Sequence, residues 1–203
     1  GREFQNRSRA LIYPLMLFLT AETVIQIALP DLHVTWLCVT LLSVLYFTYC
    51  NEMWNQLDAL TGLLNQNSYL NRTAEMRRSG GLLIVFDVDN FKQVNDCYGH
   101  LQGDACLAAI AACLKKAYAC CGYCYRIGGD EFCVLLKNTA KEAACAEEFL
   151  RQLEKKRKEL TFLPTVSCGS APLSGEDVVA VKDQADRAMY HHKKARKERA
   201  AAI

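Results

Sequence analysis

Excess charge of either sign is what this chain most plainly lacks: 24 Lys and Arg stand against 22 Asp and Glu, a formal net charge of +2. Nothing in that balance calls for a nucleic-acid polymer as partner, because such partners demand a concentrated basic surface. Internal repeats and low-complexity tracts are missing too, so no part of the chain reads as an array or a biased tail. Histidine is scarce, at four residues. Structural zinc sites normally show two ligand pairs, and no second pair accompanies the CxxC spacing of Cys121-Gly122-Tyr123-Cys124. His191 and His192 are neighbours, which a helix turns about 100° apart. Cysteine itself is plentiful: eleven, nine of them after residue 90. Most fall at apolar-periodic positions, where a thiol serves as a small hydrophobe. A domain this large with regular elements does not fit a secreted disulfide scaffold, and the thiols read as free in a reducing cytosol.

Charge is missing locally as well. Ala10 to Leu29 is twenty residues with Glu22 as the only formal charge, and Leu32 to Cys50 is nineteen with none apart from His33. A helix needs ~20 residues to cross a hydrocarbon core of ~30 Å, so the two runs predict a transmembrane hairpin over residues 1–50, turning at Pro30-Asp31. Trp36, Tyr46, Tyr49 and Trp54 lie near the ends, where aromatic rings favour the interface. Arg2, Arg7 and Arg9 precede the first run and predict a cytoplasmic start, with both ends and the rest of the chain cytoplasmic at the inner membrane. Glu22 keeps open a second reading, a buried helical hairpin in a soluble sensor. The chain begins with Gly rather than Met, which leaves room for further spans upstream. Residues 51–60 are expected to continue as a helical stalk, since Asn51 to Leu57 holds neither Pro nor Gly.

What remains, residues 61–203, is where the chemistry lies. With 51% hydrophobic residues the chain can bury a full core beyond the membrane-like segment. Gly128-Gly129-Asp130-Glu131-Phe132 sits between two apolar runs, 122–127 and 132–136, which predicts a β-hairpin with two carboxylates at its tip. Adjacent acids beside buried strands resist desolvation unless a cation meets them, so the hairpin reads as half of a metal site. Leu82 to Phe86 is a continuous apolar run, a strand buried on both faces, and it ends in Asp87-Val88-Asp89.

Four blocks in order then resemble the GGDEF family of diguanylate cyclases: Asp58 to Leu63 with Asn65; Asp87 to Asp104; Arg126 to Phe132; and Ala185-Asp186 to Tyr190 with Lys193. They cover roughly residues 53–200. The resemblance implies condensation of two GTP into cyclic di-GMP and two pyrophosphates, by a homodimer in which each domain holds one GTP. It implies Mg²⁺ or Mn²⁺ held by Asp87, the Val88 carbonyl, Asp130 and Glu131, with Asp130 or Glu131 also able to receive the hydroxyl proton. Asn95 and Asp104 match positions that read guanine, with His100 near them. Asn95 as a turn cap and Asp104 as a helix N-cap stay open as simpler roles. Lys92 with the amides of Asn90 and Phe91, the hairpin glycines Gly128 and Gly129, and Lys193 match substrate contacts. Lys197 stands near the place of a usual Arg, keeping the charge without the bidentate fork; Arg196 is its neighbour, and Gln66 also departs from the family pattern. Many relatives carry Arg-x-x-Asp before the hairpin, a grip for product. Here those positions are Ala119 and Gly122. A non-catalytic GTP-binding module signalling through protein partners is the second reading.

Between these blocks the coarse order is strand, helix, hairpin, helix, strand, helix. Gly103-Asp104 is expected to open a helix with Leu107, Ile110, Ala111, Leu114 and Tyr118 on its apolar face. Thr139 to Glu142 reads as a capping box for a helix through Phe149 and Leu153 into the basic end Lys155 to Lys158. Thr165 to Gly169 reads as a core strand, and Ser174 as the cap of a last helix bearing Val178, Val181, Ala185 and Met189. The fold class is α+β, a ferredoxin-like or palm-type domain with a central antiparallel sheet and flanking helices.

Overall fold

A computed structural model describes residues 17–18, 20–28, 35–54, 56–173, 175 and 177–201. The chain divides into two compact units, Gly1–Trp54 and Asn55–Ile203. In the first, residues 20–28 form helix α1 and Thr35–Trp54 form α2. Trp36, Leu37, Val39, Leu41, Val44, Leu45, Tyr46 and Phe47 of α2 are exposed.

The membrane hairpin expected over residues 10–50 is not supported: among the described residues no helix is long and apolar enough to cross a membrane. Within its described length, Thr35–Trp54, α2 closes on the polar Asn51-Glu52, so its apolar part there is about sixteen residues, roughly 24 Å of helix, against a core of ~30 Å. The basic flank at Arg2, Arg7 and Arg9 and the Pro30-Asp31 turn lie outside the described residues. Nor does the helix run on to residue 60. It ends at Trp54, and residues 56–64 fold back in a turn in which Leu57 bridges Leu64.

The second unit is a βαββαβ arrangement. After α3 (Gln66–Ser79) come β1 (Gly81–Val88), α4 (Phe91–Tyr98), α5 (His100–Tyr118), β2 (Gly122–Arg126), β3 (Glu131–Leu136), α6 (Glu142–Glu159), β4 (Val166–Leu173) and α7 (Val178–Ala201). The sheet order is β2-β3-β1-β4, and the pairs β1·β3, β1·β4 and β2·β3 are all antiparallel. This is the expected palm-like sheet, with β1 central and apolar enough to be covered on both sides.

Alternation along the strands sends successive side chains to opposite faces. Leu82, Ile84, Phe86 and Val88 of β1 pack with Leu107, Ile110 and Leu114 of α5 and Phe149 and Leu153 of α6. Leu83 and Val85 face the other way, toward Tyr69 and Met76 of α3 and Val181 and Ala185 of α7. Phe86 meets Tyr118 and Phe149 edge-on, at ring centroids of 5.9 and 5.4 Å. The α7 side is the tighter one. A Cβ on Gly169 of β4 would strike the α7 backbone at Ala185 and Met189, so only glycine lets that helix lie against the sheet.

Several boundaries differ from the sequence reading. α5 starts at His100 behind Gly99, whose φ is 82°, and no side chain caps it; Gly103 and Asp104 therefore lie inside its first turns, and Asp104 is not an N-cap. Thr139 does not cap α6. Residues Thr139–Lys141 form a 3₁₀ turn capped by the Asn138 side chain, which accepts from Ala140 N, and α6 follows without a side-chain cap. Ser174 lies outside the described residues.

Candidate active site

Odd-numbered residues of β1 face α7, and Asp87 continues that set to the strand end. Its cross-strand partner in β3 is Glu131. Like charges directly opposite destabilise an antiparallel pair, so a positive charge is needed nearby. α7 brings one to the Asp87 side: Lys193 Nζ donates to Asp87 Oδ1 and lies 3.7 Å from Asp89 Oδ1. Burial alone would lower the Lys193 ammonium, but the hydrogen bond to Asp87, its charge and those of Asp89 and Asp130 together hold it above its usual range. Lys193, matched above to a substrate contact, reaches the acids because the glycine-permitted approach of α7 brings the helix down onto the β1 end.

Asp130 joins the same corner through the backbone, its carbonyl accepting from Val88 N at 3.3 Å. Among the described residues no group of three or more acids, histidines or cysteines is gathered as a closed metal cage. What is present is a set of hard oxygen donors around a cationic position, which is the donor chemistry a divalent magnesium-like ion takes. The residues fit such an ion.

Asp89 was a missed partner. It is buried, accepts from Thr165 Oγ1 at 2.7 Å and Ser167 Oγ at 2.8 Å, and its amide donates to Thr165 O at 2.8 Å. Those hydroxyls satisfy a carboxylate that burial would otherwise penalise, and they fix the turn leaving β1. The available signal was Thr165 and Ser167, two hydroxyl residues spaced two apart at the start of β4.

Behind the hairpin tip, Arg126 ends β2. Its Nη1 donates to Asp58 Oδ1 at 3.1 Å and Oδ2 at 3.3 Å, and its Nη2 and Nε donate to Gly129 O at 2.8 and 3.2 Å. Asp58 also accepts from Thr61 N and Thr61 Oγ1 at 2.9 and 2.6 Å. Burial pushes the Asp58 carboxyl up, yet the Thr61 and Arg126 hydrogen bonds outweigh it and hold the group below its ordinary value. The first and third sequence blocks are thus one clamp. It reaches the hairpin because Leu64 lies alongside β2, donating to Cys124 O and accepting from Arg126 N. Gly128 packs on Glu131, and Gly129 stands open.

On the other side of the β1 end, Asn90 takes a left-handed conformation, φ 55° and ψ 32°, immediately before α4. It is the one non-glycine at positive φ among the described residues. A left-handed residue followed by helical ones turns successive N–H groups to one side, an anion-binding nest. Lys92 is exposed beside it. Asn95, further along α4, has a buried Oδ1 with no hydrogen-bond partner. Gly103 of α5 lies so close that a Cβ there would overlap this oxygen. Asp104 and His100 are exposed on the same first turns of α5. Asn95 and the α5 start are therefore brought together, as are Asp87, Glu131 and the Asp130 backbone. The side chains of Lys197 and Arg196 lie outside the described residues.

Residues 55–199 match the family described as diguanylate cyclase, GGDEF domain. Diguanylate cyclase DgcP of Pseudomonas aeruginosa is 38% identical over 160 residues, 70% of this chain and 23% of its own length. Cyclic di-GMP phosphodiesterase PdeR of Escherichia coli is 36% identical over 149 residues, 66% of this chain and 22% of its own. The chain thus spans under a quarter of the length of these two relatives. The crystal structure of the GGDEF domain of DgcB from Caulobacter crescentus, in complex with c-di-GMP, superimposes with a TM-score of 0.59 at 28% identity, over 69% of this chain and 91% of that one.

Proposed function

The chain belongs to the GGDEF-domain family of diguanylate cyclases, and from that premise we propose that it condenses two GTP into cyclic di-GMP and two pyrophosphates. The observation that carries the reading is the pairing of Asp87 with Glu131 across β1 and β3, with Lys193 on the Asp87 carboxylate. Each 3′-oxygen would attack the α-phosphorus of the other nucleotide, losing its proton as the P–O bond to pyrophosphate breaks. Enzymes of this family depend on a divalent metal; Asp87, the Val88 carbonyl, Asp130 and Glu131 would hold it, as Mg²⁺ or Mn²⁺. Such an ion, when bound, stabilises charge on the transferring phosphoryl oxygens.

The chain's own groups do the rest. The orphaned Asn95 oxygen accepts an N–H of guanine, and Asp104 accepts from its paired donors. The nest at Asn90 and Phe91, with Lys92, holds the outer phosphates. Asp130 or Glu131 takes the hydroxyl proton. Since each domain offers one such site and the reaction joins two nucleotides, the working form is a homodimer whose sites face each other.

The second reading is a GTP-binding module without catalysis, and PdeR shows that a relative of this chain is named for a different activity. The intact acids and both hairpin glycines weigh against it. Attachment to the cytoplasmic membrane through residues 10–50 is also proposed, the catalytic domain being taken from Asn55, where the second unit begins, and not from residue 61. The support for attachment is the charge-poor sequence and the exposed apolar side chains of α2, which need a cover. Recovery of the full chain from cells in the soluble fraction without detergent would refute the attachment.

The test of function is incubation of the purified full chain with GTP and Mg²⁺ or Mn²⁺, the product identified by mass. Cyclic di-GMP is expected, and Asp87→Asn and Glu131→Gln should each abolish it while circular dichroism stays unchanged. Near-normal turnover in either variant, or no cyclic product from the parent, would overturn the reading.

A further inference from the structure

Three thiols meet where α5 hands the chain to β2, and the reaction above uses none of them. Cys120 and Cys121 lie in the turn at residues 119–121, and Cys145 comes from α6. Cys121 Sγ is 2.9 Å from Cys145 Sγ and 3.5 Å from Cys120 Sγ. The closer contact is less than 1 Å beyond the ~2.0 Å of a bonded pair. Exposure falls along the series: Cys120 is exposed, Cys121 half-buried and Cys145 buried. Cys124, the other half of the CxxC spacing, points elsewhere, its Sγ donating to Leu114 O at 3.6 Å. The sulfur partners are therefore set by the fold and not by the sequence spacing. They are not gathered as a metal group among the described residues.

We propose that Cys121 and Cys145 are a reversible dithiol that a small-molecule disulfide of the glutathione type oxidises, with Cys120 as the entry thiol. The Cys120 thiolate attacks one sulfur of R–S–S–R, that bond breaks, and one R–S⁻ leaves to take a proton. Cys121 then attacks the Cys120 sulfur and expels the second R–S⁻. Cys145 attacks Cys121, forming the Cys121–Cys145 bond, and Cys120 leaves as thiolate. Cys121 and Cys145 together lose two protons and two electrons, and the small disulfide becomes two thiols. Entry at Cys120 follows from chemistry as well as exposure: burial and the neighbouring sulfurs push the Cys121 thiol up to about 12, and the thiolate is the attacking form. Thiol–disulfide exchange needs each attacking sulfur near the bond it breaks, which the two short contacts provide. The bond would pin the turn before β2 to α6.

The experiment uses the reduced full chain, incubated with oxidised glutathione, quenched with N-ethylmaleimide and digested with trypsin. Mass spectrometry should find the peptide ending at Arg126 joined to the peptide ending at Arg151, and dithiothreitol should separate them. Cys121→Ser should lose the link and retain glutathione on Cys120, whereas Cys145→Ala should lose it and stop at a Cys120–Cys121 disulfide; the half-exposed Cys121 variant keeps the test valid should the core variant misfold. Cys120→Ser should form the same link several-fold more slowly. A link through Cys124 or between two chains, glutathionylation of Cys120 with no link in the parent, or an unchanged rate in Cys120→Ser would overturn the proposal.

Discussion

Asn95 holds a buried oxygen with nothing to accept from, and such a group costs about 1–3 kcal/mol until a donor arrives. Gly103 leaves room for that oxygen and Asp104 stands beside it, which is why both belong to the proposed guanine site. Because Asp104 is not the cap of its helix, its loss leaves the fold alone. Asp104→Ala should lower kcat/KM for GTP roughly 10–150-fold, the worth of a lost charged hydrogen bond of about 1.5–3 kcal/mol, while any use of ATP hardly changes. Competition assays with the two nucleotides decide it. Equal loss for both would return Asp104 to an ordinary surface position.

The hairpin tip is aimed from outside. Arg126 grips Gly129 O with one side of its guanidinium and Asp58 with the other, so a loop near the start of the second unit sets where Asp130 and Glu131 stand. The pair's side chains are only 15% and 24% exposed, which keeps screening small. Asp58→Asn should cost on the order of 1–2 kcal/mol at pH 7. The sign of its pH dependence follows from a carboxyl lowered in the folded state. Its stabilisation is whole above the unfolded value of about 3.9 and fades as pH falls through the folded one. Urea melts of parent and variant should therefore differ at pH 7 and converge as pH falls through the lowered folded value; an offset that persisted in strong acid would assign the loss to packing. Sheet and hairpin were legible from apolar runs and turn glycines, and so was the buried face of α5 from Leu107 to Tyr118. Helix starts were less so: a left-handed Gly99 and an Asn138 cap replaced the expected signals. Long-range partners were illegible. Nothing local to Asp58 announces Arg126, and nothing local to Lys193 announces Asp87, because both contacts are made by strand register and by the close approach of α7 over Gly169.

For the whole molecule, the output depends on whether product can restrain it. At the surface where relatives carry an Arg and an Asp, this chain has Ala119 and Gly122, with no Arg or Lys between Lys116 and Arg126. A ligand that contacts no state preferentially shifts no equilibrium. Initial rates should change less than about twofold after preincubation with micromolar cyclic di-GMP, apart from weak competition at the site. Strong non-competitive inhibition would point to a different basic surface, the end of α6 at Lys155 to Lys158 being the first to mutate.

The contact between Lys193 and Asp87 also bears on how the proposed ligands would load. A divalent cation at Asp87 would displace the Lys193 ammonium, and a polyphosphate beside it would give that ammonium a new partner. In the proposed reaction each ligand would then favour the other, and by the same factor.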